Sequence, residues 1–146
     1  MLVHQILRAK SRGVDEVLTV APDRSVAEAA QVLSERRVGA LVVTPDGQRV
    51  AGILSERDIV REMGRRGPGC LDDRVSALMT STVITCAPED MADAVLTKMT
   101  EHRCRHMPVM RDGRMVGLIS IGDVVKARLD ELSMEKEALK GMIMGY

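Results

Sequence analysis

Gly52-Ile53-Leu54-Ser55-Glu56-Arg57-Asp58 recurs downstream as Gly117-Leu118-Ile119-Ser120-Ile121-Gly122-Asp123: Gly, two apolar residues, Ser, two variable residues, Asp. An apolar run leads into each copy, and a helix-like run follows, Asp58 to Met63 and Asp123 to Ala127. Each copy therefore reads as a buried strand turning into a helix N-terminus. Two readings fit. The free amides and dipole of such an end suit an anion such as phosphate. Ser-x-x-Asp is also a variant of the capping box, in which Ser receives the N3 amide and the acid reaches back. A single copy favours the cap; two in register favour paired binding sites.

The duplication extends well beyond these residues. Pro22 matches Pro88, Val43 matches Val109 and Asp46-Gly47 match Asp112-Gly113 at a constant offset of 66, whereas Ser55 and Ser120 lie 65 apart. The first copy thus carries one extra residue near Gln48-Arg49. A period this long indicates two small domains rather than a solenoid.

The elements follow in order. Residues 2–10 form a lead-in helix with Val3, Ile6 and Leu7 on one face, echoed by Val75 to Thr80. A short strand is predicted over Val17 to Val20, and its counterpart over Thr82 to Thr85. Ser25-Val26-Ala27-Glu28 opens a helix as a capping box; in the second copy Asp90 is the expected cap. A buried strand comes next, Gly39 to Val43 and then His106 to Met110, and Asp46-Gly47 and Asp112-Gly113 mark hairpin turns. Each half is strand–helix–strand–strand–helix, an α+β arrangement, with Arg65 to Gly69 as the connection. Domains are set at residues 1–68, 69–128 and 129–146. From the end of the second into the last, Val125, Leu129, Leu132, Lys136, Leu139 and Ile143 step by 4, 3, 4, 3 and 4, a heptad seam interrupted by one Lys. This amphipathic helix either covers its own domain or associates with a second copy; the latter is expected.

Composition removes several function classes. The 146 residues hold 21 basic and 21 acidic side chains, so no net field recruits nucleic acid. No Phe or Trp is present and Tyr146 is the one Tyr, which leaves no stacking platform for bases. Cys70, Cys86 and Cys104 are too few and odd in number for a disulfide scaffold and suit a reducing interior. No stretch approaches membrane-spanning length and no targeting segment is evident, so a cytoplasmic location is expected. His102, Cys104 and His106 alternate, yet lack a convincing fourth ligand for zinc, and His102 is placed at a helix end. No metal is expected. Neither Ser55 nor Ser120 has a local base, and no Gly-Lys-Ser/Thr follows either strand, so no enzyme chemistry is indicated.

Element order, half length, the Pro108-Val109 strand and the paired stretches together resemble a tandem cystathionine-beta-synthase (CBS) domain pair, the Bateman module, over roughly residues 1–128. The resemblance implies two pseudo-symmetric halves packed sheet to sheet, with two clefts between them for adenosyl ligands: AMP or ATP, and NAD(H) in a second cleft. It assigns ribose to Asp58 and Asp123, which suits a two-oxygen acceptor, and phosphate to Ser55 and Ser120 with the helix amides. It places adenine against the entry strands around Val17 to Val20 and Thr82 to Thr85, with Thr19, Val20, Thr82, Ile84 and Thr85 as the contacts, and further ligand contacts at Gly39, Ala40, Arg105, His106, Met107 and Pro108. The second half offers Arg105 where the first offers Gly39, while Arg57 faces Gly122 in the repeat. The two sites should therefore differ, one richer in positive charge and one more open. The implied function is a regulatory nucleotide sensor, a homodimer acting on a protein target in trans. The alternatives are a structural interaction module with vestigial clefts, or a sensor of S-adenosylmethionine.

Overall fold

The computed structural model describes residues 1–10 and 17–144. The order is α1 (Val3–Lys10), β1 (Thr19–Val20), α2 (Val26–Arg36), β2 (Ala40–Val43), β3 (Gly52–Ser55), α3 (Glu56–Arg66), α4 (Val75–Leu78), α5 (Ala92–His102), β4 (His106–Arg111), β5 (Arg114–Ser120) and α6 (Ile121–Met144). Residues 145 and 146 of the expected terminal helix lie outside the described residues. The α+β architecture of two repeated halves and a terminal helix is as the sequence indicates.

In the first half β1 runs parallel to β2, and β2 antiparallel to β3, with Val20 opposite Val43. In the second half β4 and β5 pair, but residues 82–85 form no strand. Only Cys86 bridges to Val109, the repeat equivalent of Val20 on Val43. Thr82 to Thr85 have strand-like residues, yet the ladder on that edge comes down to two bonds: Cys86 N–H to the Pro108 carbonyl and Met110 N–H to the Cys86 carbonyl. A backbone without a partner does not hold a strand, whatever its propensity.

The turns diverge too. Asp112 and Gly113 both take positive φ (52° and 76°), a tight two-residue hairpin. Asp46-Gly47 instead sits in the eight-residue loop from Thr44 to Ala51, where Asp46 Oδ1 receives the amides of Gln48 (2.9 Å) and Arg49 (2.8 Å). Ser25 caps α2 by receiving the Glu28 amide. Asp90 does not cap α5: its Oδ2 receives the Ala87 amide at 2.9 Å and closes the preceding turn, and Met91 is the N-cap.

The lead-ins cross over. Val3 and Ile6 of α1 are buried with Val95, Met107 and Ile119 in the core of the second half. Val75 of α4 is buried with Val26, Leu41 and Leu54 in the core of the first. The exchange is reciprocal in the backbone: Val3 N–H donates to Asp90 O and Ala92 N–H to Met1 O, as Val75 N–H donates to Arg24 O and Val26 N–H to Asp73 O. The glycine opening each seven-residue stretch makes the approach possible. A Cβ on Gly52 would lie 2.7 Å from Met79 Sδ and 2.8 Å from Thr80 O, and one on Gly117 would lie 2.8 Å from Leu7 Cδ1.

Candidate ligand clefts

Each second helix begins where its half meets the other. The first amide of α3 donates to Gly39 O (3.0 Å) and that of α6 to Arg105 O (2.8 Å), so each helix start is pinned to the strand beside it. Ser55 and Asp58 then close a full capping box: Ser55 N–H to Asp58 Oδ2 at 2.9 Å, Asp58 N–H to Ser55 Oγ at 3.3 Å. Ser120 and Asp123 repeat it at 2.9 and 3.1 Å. The capping role is thus real in both copies. It consumes Oδ2 of each aspartate and much of each hydroxyl's capacity.

Two cavities flank this meeting line, and Gly39 and His106 border both. The larger, about 580 Å³, lies between Leu7, Arg8 and Lys10 of α1, the Val17-Leu18 approach to β1, Arg36, Ala40, and the Val116–Leu118 and Ser120 positions of β5. The smaller, about 360 Å³, is lined by Ile53, Ser55, Glu56, Arg57, Asp58 and Arg61 from the first half. Thr80, Thr82 to Ile84 and the His102–His106 segment complete it, so two halves build one pocket.

The smaller cavity carries Arg57, Arg61, Arg103 and Arg105 together with the carboxylates of Glu56 and Asp58. The Asp58 side chain is 12% exposed, and among the described residues its Oδ1 meets only Arg61 Nη1, at 3.7 Å. That oxygen stays available as an acceptor, next to guanidinium forks shaped for phosphate. Arg103 is held there at φ 54°, a left-handed conformation that favours Gly or Asn and costs a side-chain-bearing residue about 1 kcal/mol.

The larger cavity differs in kind. Its cations are Arg8, Lys10 and Arg36, and Asp123 does not reach its wall. Lys10 stands in front: Nζ donates to Asp123 Oδ2 at 2.8 Å and to Leu118 O at 3.0 Å. Burial works against the Asp123 charge, but the Lys10 ammonium and the Ser120 amide outweigh it and hold that carboxyl below its ordinary range. Burial, joined by Lys10, holds the His106 imidazole below its ordinary value against the pull of Asp123 and Glu56. His106 is thus the neutral partition between the cavities.

Of the residues singled out from sequence, Gly39, Ala40, His106 and Ser120 border the larger cavity, and Gly39, Ser55, Arg57, Asp58, Thr82, Ile84, Arg105 and His106 the smaller. Thr19, Val20, Thr85, Met107, Pro108 and Asp123 border neither. Val20 packs on the first core and Met107 lies fully buried in the second. The Thr85 carbonyl receives Lys98 Nζ, and the Pro108 carbonyl receives the Cys86 amide. Sequence reasoning missed Arg8, Lys10, Arg36, Glu56 and Arg61. Arg61, one turn after Asp58, and Arg36, the repeat equivalent of His102, were within reach of the pattern. Arg8 and Lys10 were not, since the crossing that brings α1 there has no local signal. Among the described residues no group of three or more His, Cys, Asp or Glu is placed to hold a metal ion.

A family model for the CBS domain matches residues 13–65 and again residues 75–130. The chain belongs to the CBS-domain family, as a pair of CBS domains. The mitochondrial CBS domain-containing protein CBSX3 of Arabidopsis thaliana is 34% identical to this CBS pair, over 98% of this chain and 72% of its own. A crystal structure of a CBS-domain containing protein from Agrobacterium tumefaciens superposes with TM-score 0.81 at 42% identity, covering 88% of this chain and 99% of that one. A CBS domain pair solved in complex with 5-methylthioadenosine and S-adenosyl-L-methionine shares the fold at TM-score 0.76 and 23% identity, over 90% of this chain and 98% of that one.

Proposed function

We propose that this CBS pair is a regulatory sensor of adenosyl ligands, taking AMP, ATP or NAD(H) between its halves. The observation that carries the reading is the smaller cavity, where one oxygen of a sequestered carboxylate shares the lining with four arginines. A carboxylate accepts hydrogen bonds from the hydroxyls of a sugar, and guanidinium forks donate to phosphate oxygens, so a ribonucleotide satisfies both. Amides contribute less than the bare motif implies. In the first turn of α3 the Glu56 and Asp58 amides already have partners, which leaves that of Arg57 to face a ligand.

The pocket is built from both halves, so a ligand that prefers one packing of them shifts the population and alters a surface read by a protein target in trans. The three unpaired cysteines suit action in a reducing compartment such as the cytoplasm. No described helix is long and apolar enough to cross a membrane.

Thermal melting against AMP, ATP, NAD⁺, NADH and S-adenosylmethionine tests the reading, with the last included because a structural neighbour holds it. An occupied site stabilises the fold by about 2.7 kcal/mol at a hundredfold excess over Kd. The shift should shrink in Asp58→Ala. Unmoved melting with all five ligands would refute sensing.

One observation favours a second reading, an interaction module that works through α6. Residues 132–140 of that helix are all exposed, Leu132 and Leu139 among them. Removing residues 132–146 separates the two, since a sensor keeps its nucleotide shift and an interaction module loses partner binding.

A further inference from the structure

The two helix-start aspartates are equivalent in the repeat and not in their surroundings. Asp58 opens onto the smaller cavity with Oδ1 meeting nothing closer than Arg61 at 3.7 Å. Asp123 is covered by an ammonium at 2.8 Å that also holds the Leu118 carbonyl, and it is the ammonium, not the carboxylate, that lines the larger cavity. The lysine comes from α1, delivered by the crossed lead-in. It is about one-third exposed, and its ion pair with Asp123 is about one-quarter exposed on the acid's side. Among the described residues two of its three N–H donors are engaged, and the third remains for a ligand.

We propose that Lys10 sets the ligand class of the larger cavity: it shields Asp123 from sugar hydroxyls and presents a cation, so this cavity takes an anionic group, a phosphate or diphosphate, while the smaller cavity takes the ribose through Asp58. Arg8 and Arg36 on the same wall extend the positive lining, and no carboxylate stands among the described lining residues to oppose it. A nucleoside, which offers hydroxyls and no anion, gains nothing at the larger cavity. A nucleotide can enter because its phosphate gives Lys10 an alternative partner. The inference rests on the sensor reading for the nucleoside part of the ligand and is independent of it for the anion.

The test isolates the larger cavity with the double variant Asp58→Asn/Arg105→Gly. This removes the smaller cavity's free acceptor and one of its arginines, and gives position 105 the residue found at Gly39. Calorimetric titration with AMP, adenosine and inorganic pyrophosphate is then run with Lys10 intact, as Lys10→Met and as Lys10→Arg. With Lys10 intact, AMP and pyrophosphate bind and adenosine does not. Lys10→Met weakens both anions by roughly tenfold, the loss of one charge-assisted hydrogen bond, and lets adenosine bind. Lys10→Arg restores the anion preference, which a merely structural role for the residue would not require.

Equal affinity for AMP and adenosine with Lys10 intact, or anion binding unchanged in Lys10→Met, overturns the inference. The same holds if neither anion binds the isolated cavity. If nucleotides bind the wild type solely at the smaller cavity, the inference falls and the sensor reading stands. If pyrophosphate binds through Lys10 while no nucleotide does, the sensor reading falls and the assignment of Lys10 stands.

Discussion

His106 borders both cavities and carries a charge-dependent cost. Burial and the Lys10 ammonium favour its neutral form, and Asp123 and Glu56 oppose them without prevailing. Its folded value therefore lies below the ordinary 6.5, and the unfolded chain binds the extra proton first. The sign follows: stability is complete above the unfolded value and declines as pH falls from there towards the folded one. Asp123, held below its ordinary 3.8, loses its contribution only at still lower pH, so the two effects occupy separate windows. Between about pH 7 and pH 5, where an unperturbed His changes charge, the melting temperature of the wild type should fall more than that of His106→Gln. Parallel slopes for the two proteins would remove His106 from the account.

At the scale of elements, the seven-residue stretch is strand, cap and contact surface at once. Gly52 and Gly117 admit the crossed lead-ins, and the two are not equally tolerant. At Gly117 a new methyl meets the Leu7 side chain, which can rotate away; at Gly52 it meets the Thr80 backbone carbonyl as well as Met79. Thr80 N–H and O both bond Ile53, so that carbonyl cannot retreat without breaking the bridge. Gly52→Ala should cost about 1–3 kcal/mol in urea unfolding, the range for overpacking. Gly117→Ala should cost less, and the reverse order would contradict this packing.

The same elements show what a one-dimensional pattern carries. The two strand-to-helix turns were legible because a capping box is a local device whose residues specify its geometry. The edge strand at Thr82 to Thr85 was misread because β-propensity describes side chains, while a strand needs a neighbouring backbone to pair with. Of the two adenine-facing segments expected, Val17-Leu18 and Thr82 to Ile84 do reach cavities, and Thr19, Val20 and Thr85, one step further along, do not. The wall from α1 was invisible for another reason. Which half a lead-in joins is decided by packing between residues some 90 positions apart, such as Val3 and Asp90, and periodicity within a window is blind to it.

For the molecule as a whole, α6 poses the open demand. Its first turns are anchored by Val124 and Ala127 in the second core, and the Met1 ammonium meets Glu131 at 2.8 Å. Past that point the seam positions Leu132, Leu139 and Ile143 are 49%, 57% and 76% exposed, so the helix does not lie back on its own domain. The part of α6 beyond Glu131, residues 132–144, has a length at which an isolated helix is marginal in water, and one seam of apolar residues is stabilised by burying it against another. A second copy of the chain would supply such a seam. Leu132→Glu/Leu139→Glu should convert a dimer to a monomer in sedimentation while the melting shift with AMP persists. A wild type that sediments as a monomer, or a dimer indifferent to both charges, would place the interface elsewhere.

The crossed lead-ins carry a last consequence, for evolution and engineering alike. Because each core is finished by a segment belonging in sequence to the other repeat, a solitary repeat has an uncovered flank where its neighbour's helix should sit. Two such units can complete one another without a covalent link, so a gene for one repeat could have served as a swapped pair before duplication joined them. In the fused protein the joint near Gly67 then acts less as a hinge than as a tether, keeping at high local concentration two parts already committed to each other.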